Sequence, residues 1–271
     1  MILVGVDGSR AGIEAVGWAA HEAAVREVPL TVAHAMPRWA YETEIGRYAE
    51  VAAWMREGGR TVLAVAEERA RREQPKISVT TTFLPDDPRS ALIGAARDAE
   101  LLVVGSHGIG GFRGMLVGSV AYGVAGHAPC DVVVVRELPS SPRGEIVAGV
   151  DASPASGRVL EFAVAEARLR GSRLRAVHAV AVRWDPAGLD EPGAVEDTLE
   201  ALAERHPDVD IVEEEVHGHP VEVLRQAASV ADLLVVGSHG HGTVTGMLLG
   251  SVSQELLHHV PCPLAVVRSE R

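Results

Sequence analysis

The stretch Leu102-Val103-Val104-Gly105-Ser106-His107-Gly108 occurs a second time in this chain, 132 residues later, as Leu234-Val235-Val236-Gly237-Ser238-His239-Gly240. In both places an apolar run of strand character enters a glycine-containing loop. After the second glycine and nine intervening residues, a Gly-Ser pair follows at Gly118-Ser119 and again at Gly250-Ser251. Recurrence of the whole pattern at one spacing indicates that a domain has been duplicated.

The beginnings of the two copies repeat as well, but at a different offset. Leu3-Val4-Gly5-Val6-Asp7-Gly8-Ser9 returns 144 residues later as Val147-Ala148-Gly149-Val150-Asp151-Ala152-Ser153. The second copy is therefore 12 residues shorter in its middle, around 39–54, and we expect the first copy to carry a longer cover before its second helix. The Pro-, Ser- and Gly-rich stretch between the copies predicts an exposed connection. We predict domains at 1–137 and 145–271, joined by a linker at 138–144.

Composition limits the classes of function. The chain has 271 residues, of which 47% are hydrophobic and 23% charged, which is enough for two cores without metal or disulfide staples. A net charge of −12 argues against nucleic acid or an anionic membrane as a partner. Cys130 and Cys262 are too few for a disulfide framework and lack zinc-site spacing, so a cytoplasmic location is expected. The opening residues indicate a strand rather than a signal peptide.

Apolar runs alternate with stretches of helical character in each copy. Several runs are nearly continuous in Val, Leu and Ile, as strands of a parallel sheet buried on both faces require. With right-handed crossovers, each copy is predicted to be a Rossmann-like α/β domain, a five-stranded parallel sheet with helices on both faces. The predicted strands are 2–6, 30–35, 77–84, 101–104 and 132–135, then 145–150, 173–179, 211–216, 233–236 and 264–267. The predicted helices of the first copy are 11–27, 49–72, 88–99 and 119–128.

Residues at the ends of the first and fourth strands predict a binding site. Asp7 and Asp151 end the first strands, where open parallel sheets bind ligands, although each alone is equally well explained as a helix N-cap. Glycines in the following loop let backbone N–H groups approach a phosphate, and a helix start adds unpaired donors. No Gly-Lys-Ser/Thr and no magnesium-holding acidic pair accompany the loops, so kinase-type transfer is not predicted. No side chain is assigned a catalytic or metal-binding role.

These residues resemble the universal stress protein family in a tandem form. The family's nucleotide motif, Gly-x2-Gly-x9-Gly-Ser/Thr, is matched in full in both copies. The resemblance implies an adenine nucleotide alpha hydrolase-like fold, ATP as ligand, alone or with Mg²⁺, and a role in stress tolerance or dormancy. It also implies a homodimer, or domain pairing within the chain, through the fifth strand. The protein partner is not identified.

The resemblance also implies which residues contact the nucleotide. Asp7 and Asp151 would contact adenine or ribose, Ala35 and Ala179 would flank the base, and the motif residues would hold ribose and phosphates. The implied first site comprises Asp7, Ala35, Val104, Gly105, Gly108, Arg113, Gly118, Ser119 and Val120. The implied second site comprises Asp151, Ala179, Val236, Gly237, Gly240, Gly250, Ser251, Val252 and Ser253.

The two copies differ at one charged position. Arg113 lies in the first loop where the second copy has Thr245, so we expect the first site to bind ATP more tightly. His34 is assigned to packing and hydrogen bonding at a strand end, whereas His107 and His239 lie in the glycine loops, beside the expected phosphates.

The leading prediction is a cytoplasmic ATP-binding sensor or regulator with two sites per chain, for which binding itself is the function. Two alternatives stay open. One is a slow ATP hydrolase or nucleotidyl-transferring enzyme, which needs a base and a metal arrangement that the sequence does not provide. The other is a dimerisation module whose sites no longer bind nucleotide.

Overall fold

The computed structural model describes residues 1–109, 117–136, 138–139, 141–151, 153, 155–180, 194–240 and 248–268. The chain divides into two compact units, Met1–Arg136 and Glu137–Arg271. Each unit is an α/β domain with a parallel sheet of five strands, as the sequence predicts. The separate linker at 138–144 stays a prediction.

In the first domain the strands lie in the order β3-β2-β1-β4-β5. They are β1 (Ile2–Gly5), β2 (Leu30–Met36), β3 (Val79–Pro85), β4 (Leu101–Gly105) and β5 (Asp131–Val135). The helices are α1 (Arg10–Val25), α2 (Arg38–Glu42), α3 (Ala49–Glu73), α4 (Pro88–Ala95) and α5 (Ser119–His127).

The second domain repeats this winding, with its strands in the order β8-β7-β6-β9-β10. They are β6 (Glu145–Val150), β7 (Arg173–Val180), β8 (Ile211–His217), β9 (Leu233–Gly237) and β10 (Leu264–Val267). The described helices are α6 (Ala155–Arg170), α7 (Ala194–Arg205), α8 (Pro220–Ala228) and α9 (Ser251–His259). None of the helices in the described ranges has the length and apolar character needed to span a bilayer.

Burial explains why the central strands are so apolar. Every residue of the central strand β1 is buried, because helices cover both of its faces, whereas the edge strands β3 and β8 contain exposed residues. The winding reverses between β1 and β4, which are neighbours in the sheet but not in the chain. A crevice therefore opens at the carboxyl ends of these strands, and the equivalent crevice in the second domain lies at β6 and β9.

Two details of the first domain differ from the predicted elements. The predicted helix 88–99 is α4 followed by a short 3₁₀ turn, Ala96–Asp98, so the α-helix ends early. The region around 39–54, which the second copy lacks, forms α2 and the first turns of α3. The short helix α2 was not among the predicted helices, whereas α3 begins at residue 49 as predicted.

Both cysteines are buried. Burial raises the pKa of the Cys262 thiol to about 12. Because the thiolate is the reactive form, only about one Cys262 side chain in ten thousand is ionised at pH 8. We expect the native protein to show no reaction with Ellman's reagent at pH 8 within an hour, and two thiols to react once guanidinium unfolds it. Rapid labelling of Cys262 in the native protein, detected in the peptide that contains it, would contradict this burial.

Candidate functional site

Each domain has a cleft at the carboxyl ends of its first and fourth strands. The cleft volumes are about 430 Å³ in the first domain and about 330 Å³ in the second, both within the range of small-molecule sites. The first cleft is lined by eight of the nine predicted residues: Asp7, Ala35, Val104, Gly105, Gly108, Gly118, Ser119 and Val120. The ninth, Arg113, lies outside the described residues.

The second cleft brings together all nine residues that were assigned to it. They are Asp151, Ala179, Val236, Gly237, Gly240, Gly250, Ser251, Val252 and Ser253. Three segments far apart in sequence therefore meet at one point in each domain. They are the end of the first strand, the end of the second strand and the glycine loop with its following helix. Their role in binding a nucleotide stays a prediction.

Asp7 joins the end of β1 to the glycine loop. Its Oδ1 accepts a hydrogen bond from Ser9 N–H at 3.0 Å, and its Oδ2 accepts one from Ile109 N–H at 2.9 Å. The N-cap of α1 is Ser9, whose Oγ accepts from Gly12 N–H at 3.1 Å. The N-cap explanation of Asp7 is therefore wrong for this domain, because the carboxylate bonds to a loop 102 residues away instead.

The second motif glycine of each copy lies against this carboxylate. A Cβ atom built on Gly108 would lie 2.5 Å from Asp7 Oδ2, and one built on Gly240 would overlap Asp151 Oδ2. Any side chain at either position would have to displace the carboxylate, the loop or both. The duplicated Asp–Gly contact thus gives a physical reason for glycine at the second position of the motif.

Glycine occurs at the other positions of the motif for different reasons. A Cβ on Gly105 would lie 2.6 Å from the backbone of Ala11 and Gly12, so this glycine lets α1 approach β4 closely. Gly118 and Gly250 have room for a Cβ, at 3.5 Å or more from other atoms. They are the N-caps of α5 and α9 and supply no side-chain cap, which leaves the first-turn amides of these helices for a ligand or water.

The clefts are not identical, because hydroxyl groups crowd the second one. Ser156 Oγ donates to Asp151 Oδ1 at 3.1 Å, and the corresponding residue of the first domain is Gly12. Ser253 Oγ donates to the Gly237 carbonyl oxygen at 2.6 Å, where the first domain has Ala121. These extra side chains are consistent with the smaller volume of the second cleft.

The loop histidines are held by their neighbours. His107 Nδ1 and the buried Ser106 Oγ form a hydrogen bond of 2.7 Å, and His239 and Ser238 form the equivalent bond at 3.2 Å. Ser9 Oγ also donates to the His107 carbonyl oxygen at 3.1 Å, so the helix cap and the loop are connected. Both histidines line their clefts.

Sequence reasoning left several lining residues of the clefts unassigned, among them His34, Ser156 and Pro88. His34 Nδ1 donates to the Val6 carbonyl oxygen at 2.8 Å, as assigned, but this side chain also lines the first cleft. Ser156 lines the second cleft from the start of α6, and Pro88 lines the first cleft from the start of α4. The position of His34 beside Ala35 was the one available signal. Within the described ranges, no three His, Cys, Asp or Glu side chains cluster as a metal site.

Comparisons with known proteins agree with this duplicated architecture. A family model described as "Universal stress protein family" matches residues 1–136 and, a second time, residues 143–268. A universal stress protein of Mycobacterium tuberculosis is 35% identical over 98% of this chain and 96% of its own length. The crystal structure of a universal stress protein from Archaeoglobus fulgidus has the same fold, with a TM-score of 0.76 and 22% identity over 99% of this chain and 98% of its own. A crystal structure of a universal stress protein in complex with cAMP covers 50% of this chain and 94% of its own, with 28% identity and a TM-score of 0.38.

Proposed function

This chain belongs to the universal stress protein family, and from that premise we propose that it binds one ATP in each domain and acts as a nucleotide-dependent regulator. The setting is the stress response or dormancy, in the cytoplasm. The observation that carries the proposal is the duplicated cleft, in which an Asp carboxylate lies against a motif glycine beside an uncapped helix N-terminus. Binding, not turnover, is the proposed activity.

The polar groups of the cleft suit the nucleoside half of ATP. An ionised carboxylate, as at Asp7 and Asp151, accepts hydrogen bonds and donates none. Ribose hydroxyls and the adenine amino group are donors that suit such an acceptor. Ala35 and Ala179 line the clefts from the second strands without occupying much space, so a planar base has room beside them. Val104 and Val236 add apolar surface at the ends of β4 and β9.

The phosphates would lie against backbone amides rather than lysines. The first turns of α5 and α9 present N–H groups and the positive end of a helix dipole, and Ser119 and Ser251 add hydroxyls. Mg²⁺, if it accompanies ATP, would be held mainly by the phosphates and water, since no acidic cluster lies among the described residues. In the first site Arg113 adds a positive charge from the loop.

The proposed regulation depends on the coupling between nucleotide binding and the stability of the folded domain. A ligand that binds only the ordered domain stabilises it by RT ln(1 + [L]/Kd), about 4 kcal/mol when ATP is a thousandfold above Kd. Occupancy would thus set whether the glycine loops present one fixed surface to a partner. A homodimer through the fifth strand is part of the same proposal, and it rests on the family resemblance.

Counting bound nucleotide tests the proposal directly. The purified chain is denatured and its supernatant is analysed by mass spectrometry, and the emptied protein is then titrated with ATP by calorimetry. We expect two sites per chain, with Arg113→Ala weakening one of them several-fold. Absence of heat and of retained nucleotide at millimolar ATP would refute binding. Repeated ADP release with Mg²⁺ would favour the hydrolase alternative.

A further inference from the structure

The first domain has an exposed apolar surface outside the cleft, on α2, the α2–α3 connection and the beginning of α3. It consists of six side chains, here named the aromatic surface: Trp39, Tyr41, Ile45, Tyr48, Val51 and Trp54. Ile45 is 88% exposed and Trp54 is 77% exposed, and the other four are between 45% and 57% exposed. Four of the ten aromatic residues of the chain lie in these 16 positions, and none of the four is buried.

Three of the four rings of the aromatic surface make ring–ring contacts. The Trp39 and Tyr48 rings pack edge to face at 6.4 Å, and Tyr41 lies 6.3 Å from the Phe83 ring of β3. Arg56 Nη1 donates to the Ala40 and Thr43 carbonyl oxygens, at 2.6 and 2.9 Å, and so ties the α2–α3 connection to α3. Rings that are fixed before binding lose little conformational entropy in a complex.

The area of the aromatic surface is large for a monomer. Four rings of roughly 200 Å² each, a little over half exposed, present about 450 Å², and Ile45 and Val51 raise this to about 600 Å². That is the upper end of the largest apolar patch on a typical monomer, and patches of this size mark interaction sites. The surface therefore has the size of an interaction site.

We infer that the partner is a second copy of this chain, docked through the same surface about a twofold axis. Two such surfaces face to face bury about 1,200 Å², which reaches the range of specific protein interfaces before any polar rim is counted. A surface that meets itself needs charges of both signs at its edge. Arg38 and Arg47 supply positive charge there, and Glu44 and Glu50 supply negative charge, all on exposed residues.

This interface is separate from the fifth-strand contact of the proposed function. The helix α3 packs on β2 and β3, at one edge of the first sheet, while β5 lies at the opposite edge. The stretch that follows β7 in the second copy, 181–193, contains one aromatic residue in its sequence. A twofold contact through the aromatic surface joins two copies and does not by itself extend into a polymer.

Trp54→Glu tests the interface on the full chain. We expect sedimentation equilibrium to give half the wild-type mass for this variant at micromolar concentration, with the pair dissociation constant raised at least a hundredfold. Val65→Glu is the matched control, because Val65 is an exposed residue of the same helix outside the aromatic surface. Its mass should equal that of the wild type.

Three outcomes would overturn the inference: a wild-type mass of one chain, an unchanged mass for Trp54→Glu, or an equal loss with Val65→Glu. The first of these would assign the surface to a different protein. ATP titration of the same variants keeps this test independent of the proposed function, since we expect Trp54→Glu to bind nucleotide as the wild type does.

Discussion

Gly108→Ala is expected to remove ATP binding from the first domain and leave the second domain's site intact. The added Cβ would lie 2.5 Å from Asp7 Oδ2, so the carboxylate must turn or the loop must move away. Either movement breaks the 2.9 Å hydrogen bond between Asp7 and Ile109 N–H. Since the proposed ribose and phosphate contacts would both depend on this junction, we expect affinity at the site to fall at least a hundredfold, about 2.7 kcal/mol.

Calorimetry measures this result as a change in stoichiometry from two ATP per chain to one. Gly240→Ala should give the same change through the second site, and the double variant should bind none. Gly94→Ala is the matched control, because a Cβ on that exposed glycine of α4 meets no atom within 4 Å. Two sites of unchanged affinity in Gly108→Ala would show that the Asp–Gly contact does not shape the site.

Glu145→Ala is expected to destabilise the second domain strongly. This buried carboxylate accepts hydrogen bonds from Arg173 Nε at 2.6 Å and from Arg175 Nη2 at 2.7 Å, and Arg175 Nη1 also donates to Glu214 at 2.8 Å. Desolvation acts to lower the pKa of Arg175, but the hydrogen bonds to Glu214 and Glu145 outweigh it and raise that pKa. Arg175 stays charged when Glu145 is removed, because a guanidinium group keeps its proton in proteins at neutral pH.

The folded second domain becomes less stable when the largely buried Arg175 keeps only one carboxylate partner. Breaking a fully buried pair costs about 3–5 kcal/mol, and because 18% of the Arg175 side chain is exposed we expect about 2 kcal/mol here. Hydrogen exchange in β6 and β7 peptides of the intact chain should accelerate about thirtyfold. Glu222→Ala, which removes an exposed partner of Arg225, should leave exchange in those peptides unchanged. Equal exchange in both variants would contradict the role of Glu145.

The first domain achieves the same strand pairing without this ion network. Its counterparts of Glu145 and Arg175 are Met1 and Thr31, and Thr31 Oγ1 lies 3.1 Å from Thr80 Oγ1 on β3. The Glu145 effect should therefore be confined to the second domain, and exchange in β1 and β2 peptides should not change. Acceleration there would indicate that the two domains unfold together.

The positions of the strands could be predicted closely because buried strands of a parallel sheet have continuous apolar sequences. The run at 101–104 corresponds to β4, Leu101–Gly105, and 264–267 corresponds to β10, Leu264–Val267. Helix ends were predicted less accurately. At Ala96–Asp98 the sequence pattern of an α-helix continues, but the backbone forms a tighter 3₁₀ turn. Local composition does not distinguish the two hydrogen-bond patterns, so the end of α4 was placed four residues too late.

For the site, the repeated spacing located the motif residues and the family resemblance supplied Ala35 and Ala179, but neither explains how these residues interact. A carboxylate after a strand has the same sequence signal whether it caps the next helix or bonds to a distant loop. The bond from Ile109 to Asp7 depends on where β4 lies in the sheet, and only the fold brings them together. Ser156 was missed for a similar reason, because its place in the cleft depends on how α6 approaches β6.

The contact between the strand-end aspartate and the second motif glycine makes those two positions epistatic. Once Asp7 has been shortened to alanine, a methyl group at position 108 no longer meets an oxygen, so the second substitution does little further harm. Each half of the duplicated gene holds its own such pair, at positions 7 and 108 or 151 and 240. We therefore expect a single methyl group to remove the proposed binding from one half and leave that of its twin, a simple route by which tandem copies can diverge.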